Sequence, residues 1–152
     1  MAEPWLDITA ALVRASGLVS DICAKSAAEH GVTAQQAQLL CVLEQHPVAM
    51  AELGVLMRIT KSSTTGLVDR AQDAGLVVRD TDADDRRSHL VSLTERGRQL
   101  GGTYRAMVTG RIATLIADVP DAERELLRAV LSQVVISNQA RATWPAEPER
   151  AA

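Results

Sequence analysis

A chain of 152 residues with 47% hydrophobic and 23% charged side chains and five prolines is one domain's worth of sequence, which excludes disordered, collagenous and disulfide-scaffold classes. Two Trp, one Tyr and no Phe exclude an aromatic sheet that stacks single-stranded RNA, and equally a sugar-stacking lectin site. The net charge of −3 excludes a uniformly basic coat but not a local basic surface, because residues 1–57 carry −4, residues 58–111 carry +3 and residues 112–152 carry −2.

Trp5, Ile8, Leu12, Ala15, Val19 and Ile22 recur at steps of three and four, predicting an amphipathic helix over 5–29 with Gly31 as its cap. Thr33 caps a second helix with Ala37, Leu40, Cys41 and Val42 as apolar positions, up to a stop at His46-Pro47. A short helix over about 49–57 carries Leu53, Leu56 and Met57. Thr60 is a good N-cap for a helix from Lys61 to about Ala74, with Thr64, Leu67, Val68 and Ala71 on one face and Gly75 beyond its end. There the period changes: LVVRD and SHLVSL are short β-branched runs around the polar stretch TDADDRR, which predicts a hairpin. Thr94 caps a long helix to about Val119, with Leu100, Met107, Val108, Leu115 and Ile116 as its stripe. Pro120-Asp121 starts a last helix bearing Leu126, Leu127, Val130, Leu131, Val134 and Val135, and the aperiodic tail 142–152 is expected to be disordered.

A short helix, a turn, a capped helix and a hairpin make the winged form of helix-turn-helix. The expected architecture is therefore mainly α: one domain, with a winged lobe over about 33–97 and flanking dimerisation helices over about 1–30 and 98–141. Both terminal helices carry more apolar surface than one contact face needs, which points to a homodimer. Cys23 and Cys41 have no CxxC spacing or surrounding histidines, so no metal or other cofactor is expected and both read as reduced thiols. MAEPWLDITA has no basic n-region before an apolar core and no apolar run approaches eighteen residues, so a cytoplasmic protein without a membrane span is expected.

DTDADDRRSHLVSLTERG (80–97) resembles the wing of the multiple-antibiotic-resistance regulator (MarR) family, with its acid-rich turn, Arg pair and LTxxG helix start. ITKSSTTGLVDRAQDAGLV (59–77) is similar to that family's recognition helix and GVTAQQAQLLCVL (31–43) to its second helix, in register over about 31–100. The resemblance implies a homodimeric DNA-binding regulator, usually a repressor, that leaves its operator when a small molecule or oxidant changes the spacing of its winged lobes; no catalysis is expected. Two positions depart from the pattern. Where many relatives carry a larger, often basic residue stands Gly66, which removes a potential phosphate contact, and where many carry Leu stands Ala71, which thins the packing beneath the helix.

With Thr64, Leu67, Val68 and Ala71 inward, 100° per residue turns Ser62, Thr65, Gly66 and Asp69 outward, flanked by Ser63 and Arg70. Such a small polar face suits the floor of a major groove, though by itself it equally suits solvent. In the hairpin tip Arg86 and Arg87 follow Asp82, Asp84 and Asp85. One Arg pairs with an Asp and the other enters the minor groove; the resemblance favours Arg86 for the groove and Arg87 for the pair, with the exchange left open. Arg58, Lys61, Arg70 and Arg79 are phosphate candidates. The resemblance also puts an effector pocket between the dimer helices and the winged lobe, with Arg14, Tyr104, Arg105 and Met107 among its liners. His30 and His46 read as helix-end residues and His89 as a strand residue. The alternatives are an interaction module that keeps the fold without DNA, and a repressor that senses oxidants through Cys23.

Overall fold

The structure, a computed structural model, describes residues 6–81 and 89–138. Trp5, the hairpin tip with Arg86 and Arg87, and the tail after Asn138 lie outside the described residues. In chain order the elements are α1 (Ile8–Glu29), α2 (Ala34–Leu43), β1 (Val48–Ala49), α3 (Met50–Met57), α4 (Lys61–Asp73), β2 (Val77–Thr81), β3 (His89–Leu93), α5 (Glu95–Leu115) and α6 (Asp121–Ser137). This is the mainly α winged helix-turn-helix arrangement expected from the sequence, with two corrections. The sheet has three antiparallel strands in the order β1-β3-β2 where a hairpin alone was expected, because Val48 pairs with Val91 and Ala49 with Leu90. The fifth helix stops at Leu115, not near Val119, because the chain tightens into i→i−3 turns: Ala117 N–H donates to Thr114 O and Val119 N–H to Ile116 O.

Side-chain caps set four of the helix starts. Asp7 accepts from Ala10 N, Thr60 from Ser63 N and Thr94 from Gly97 N, while Thr33 and Gln36 form a reciprocal capping box. At the end of α4, Gly75 turns the chain at φ +71° and sends it into β2, the left-handed conformation that a side chain resists. Thr94 Oγ1 donates to the Gly75 carbonyl at 2.7 Å, so the start of α5 is tied to that turn.

The main core lies under the winged lobe, where Leu39, Leu40, Leu53, Leu67, Val68, Leu76, Val77 and Val91 are fully buried. Val77 faces Leu93 and Arg79 faces Val91 across the hairpin, a register that turns one sheet face onto α2, α3 and α4. A smaller core joins α1, α2 and α5 through Ala27, Ala37, Cys41, Tyr104 and Val108. On α5 the buried residues are Gly97, Gly101, Tyr104 and Val108; of the expected stripe Val108 is buried and Leu100 packs on the main core, while Leu115 is exposed. Gly101 approaches Leu40 so closely that an added Cβ would stand 3.3 Å from Leu40 Cβ. Arg111 fastens the same junction, donating to both carboxylate oxygens of Glu29 and to the buried Ser26 hydroxyl at 2.8 Å each.

Only the C-terminal part of α1 is buried, while Ile8, Leu12, Val13, Leu18 and Val19 face solvent. In α6 no residue is buried, and Leu126, Leu127, Val130, Leu131, Val134, Val135 and Ile136 are all exposed. Among the described residues no helix is long and apolar enough to cross a membrane.

Candidate nucleic-acid interface

The site is built on the pair α3 and α4, joined by a three-residue turn at 58–60. Arg58 ends α3 in the left-handed region at φ 54°, ψ 42°, a conformation costing roughly 1–2 kcal/mol for a residue with a side chain. Its amide donates back to α3, and Ile59 N–H donates to Gly54 O at 3.1 Å, so the turn is fixed by α3's last carbonyls. The two helices touch at Gly54, where an added Cβ would stand 3.0 Å from Thr64 Oγ1. That hydroxyl is buried and satisfied, donating to Thr60 O at 2.9 Å.

The four inward residues of α4 are those the periodicity picked, with Thr64, Leu67, Val68 and Ala71 buried. Ala71 is wholly enclosed beneath α4. Lys61, Ser62, Ser63, Asp69 and Arg70 are exposed, and Thr65 and Gly66 are half-buried. The first turn is a cluster of hydroxyls: Thr60 Oγ1 lies 2.9 Å from Ser63 Oγ and 3.1 Å from Ser62 Oγ, and Thr65 Oγ1 donates to Lys61 O. Hydroxyls can serve either a donor or an acceptor edge of a base, and the free N–H groups of a helix start attract phosphate.

Between α3, the start of α4 and the sheet runs an open groove of about 1020 Å³, whose lining includes Arg58, Lys61, Thr65, Arg79 and His89. The rest of its lining, with Met50, Ala51, Val55 and Ile59, is largely apolar, so Arg58, Lys61 and Arg79 stand beside an apolar floor. Arg79, placed among the phosphate candidates from sequence, donates to Asp69 Oδ1 at 2.6 Å. Its Nε is buried without a hydrogen-bond partner, so the guanidinium faces α4 with one nitrogen satisfied by the carboxylate. This link between α4 and β2 was missed from sequence; acid and base stand ten residues apart, and only the strand register brings them together.

The four residues expected to line an effector pocket lie on α1 and α5. Tyr104 is buried in the smaller core, Arg105 pairs with Glu44 at 3.0 Å, Met107 is half-buried and Arg14 is exposed on α1. Burial, with a side-chain hydrogen bond to Cys23, raises the Tyr104 phenol, and burial with the nearby Glu44 charge pushes the Cys41 thiol up to about 12. The ring of His30 lies 2.7 Å from the Ser26 carbonyl at the end of α1, and that of His46 lies 2.9 Å from Pro47 O. Among the described residues no three His, Cys, Asp or Glu side chains converge as a metal site.

Comparison with known proteins matches residues 30–88, from just after α1 to just before β3, to the family model described as MarR family. A protein from Thauera aromatica, assigned as transcriptional regulator of the hcr operon, is 30% identical over 105 residues, covering 68% of this chain and 63% of its own length. The chain therefore spans just under two thirds of that relative. A MarR-family transcriptional regulator from Rhodococcus sp. RHA1 superimposes with a TM-score of 0.72 at 28% identity, over 89% of this chain and 98% of the other. CouR from Rhodococcus jostii RHA1, solved with p-coumaroyl-CoA bound, superimposes with a TM-score of 0.68 at 25% identity, over 94% and 96% of the two chains.

Proposed function

The chain belongs to the MarR family of transcriptional regulators, and from that premise we propose that it is a homodimeric repressor of a pseudo-palindromic duplex operator, acting in the cytoplasm and released by a small organic effector. The observation that carries the reading is the outer face of α4. Ser62, Ser63, Thr65 and Gly66 form a small polar face suited to a major groove, and the exposed Arg58, Lys61 and Arg70 are the candidates to meet phosphate or base edges. In the wing, the resemblance favours Arg86 for the minor groove and Arg87 for the pair with an Asp of the tip, with the exchange left open.

The exposed apolar faces of α1 and α6 support the dimer, since a 17-residue helix without buried side chains needs a second surface to hold it. Effector release is supported by CouR, a whole-chain neighbour solved with an acyl-CoA. Its seat in this protein is the space between the dimer helices and the winged lobe, bounded by Arg14, Tyr104, Arg105 and Met107.

The test is binding to the DNA upstream of the protein's own gene across a salt series. Arg86→Ala is expected to weaken binding by about 1–3 kcal/mol and to lower the salt slope by roughly one unit, with the fold unchanged. A folded dimer that binds no duplex would make the protein an interaction module on a winged-helix scaffold.

A further inference from the structure

On the reading of α4 as a major-groove helix, we propose that Arg70 is its guanine-reading residue and that Gly66 is kept free of a side chain to seat it. Recognition helices of this motif touch bases with their N-terminal residues, and Arg70 lies in the last turn of α4, where a side chain pointing straight out would meet the flank of the duplex. It does not point straight out. Its Nη1 lies 3.2 Å from where a Cβ on Gly66 would stand, so the side chain runs back along the outer face over the preceding turn. Helical side chains lean towards the N-terminus, and four residues at 1.5 Å each bring the charged end about 6 Å closer to the hydroxyl cluster at the start of the helix.

Two further observations leave this guanidinium free for a base. Asp69, the adjacent acid on the same face, is taken by Arg79 at 2.6 Å. Arg70 itself has no ion pair among the described residues. A planar guanidinium with five donors over a floor of Ser62, Ser63 and Thr65 matches the paired O6 and N7 acceptors of guanine, the commonest specific contact in the major groove. The absent side chain at Gly66 thus does more than omit a contact: the Arg70 end lies over that position, and a Cβ there would shift it by a few tenths of an ångström.

The experiment is selection from a duplex library with a randomised core, using the full chain, followed by titration of the selected duplex and of single-base variants at several salt concentrations. The parent is expected to select a guanine at one fixed position in each half-site. Arg70→Lys keeps the charge but loses the fork, and is expected to lose about 5- to 150-fold of discrimination at that base pair with the salt slope unchanged. Gly66→Ala removes a helix-weakening glycine, so Tm should rise by about 2–4 °C while discrimination falls at the same position and nowhere else. If Arg70→Lys keeps the parent's preference and Arg70→Ala only lowers the salt slope by about one, Arg70 is a phosphate contact and the inference fails while the regulator reading stands. If the parent selects no sequence and binds no duplex, both fall together.

Discussion

An alanine at Gly97 would put its Cβ 1.9 Å from the carbonyl oxygen of Leu76, the same oxygen that accepts from Thr94 N–H at the start of α5. Neither atom belongs to a flexible side chain, so Gly97→Ala should cost about 1–3 kcal/mol, read as a lower midpoint in urea. Gly102, on the same helix, has nothing within 4 Å of its position, and Gly102→Ala should stabilise by about 0.5–1 kcal/mol in the same titration. Cys41 gives a second prediction. Its thiol is raised from 9.0 to about 12, so the folded state favours the neutral form; that stability is complete below pH 9 and drains away as pH climbs towards 12. Tyr104, raised by burial, adds to the same loss at high pH. Thermal melts between pH 8 and 11.5 should therefore fall less steeply for Cys41→Ala than for the parent. With Cys41 buried and Cys23 partly buried against the smaller core, DNA binding should survive a stoichiometric organic hydroperoxide, as it should in the variant with both Cys23 and Cys41 changed to Ala. Loss of binding in the parent alone would make the protein an oxidant sensor.

Along α4 the expected effects divide by what each side chain touches. Ser62→Ala and Thr65→Ala should alter which duplexes are preferred and leave the salt slope alone, whereas Lys61→Ala and Arg58→Ala should lower that slope by about one each without changing preference. The inner and outer faces of this helix were legible from sequence, because Thr60 caps it, Gly75 ends it and the 3.6 period of Thr64, Leu67, Val68 and Ala71 is unbroken. Other elements hid themselves for identifiable reasons. Two residues, Val48 and Ala49, are too short a run to show alternation, so β1 exists only through its partner Val91–Leu90 edge. In α5 the contact row includes Gly97 and Gly101, which bring backbones together by having no side chain, and a stripe drawn from apolar residues passes them by. The Asp69–Arg79 pair and the Arg70–Gly66 seat depend on which way long side chains lie, and residue spacing alone does not carry that.

Over the whole molecule, α1 and α6 each present exposed apolar side chains among the described residues, Ile8 and Val13 on the one and Val130 and Val134 on the other. The double variant Leu131→Asp, Val134→Asp should therefore sediment as a monomer or aggregate at micromolar concentration, where the parent should sediment as a dimer. Removal of residues 121–152 should yield insoluble or unfolded protein. A well-folded parent monomer under the same conditions would rule out the dimer. Within each lobe, by contrast, the parts are bound to one another: Arg79 ties β2 to α4, and Thr94 ties the root of α5 to the turn after α4. On the proposed dimer reading, a change in the distance between two lobes braced in this way is expected to carry α4, β2 and the root of α5 together, so that a signal felt at the long helices reaches the helix and the base of the wing as one displacement.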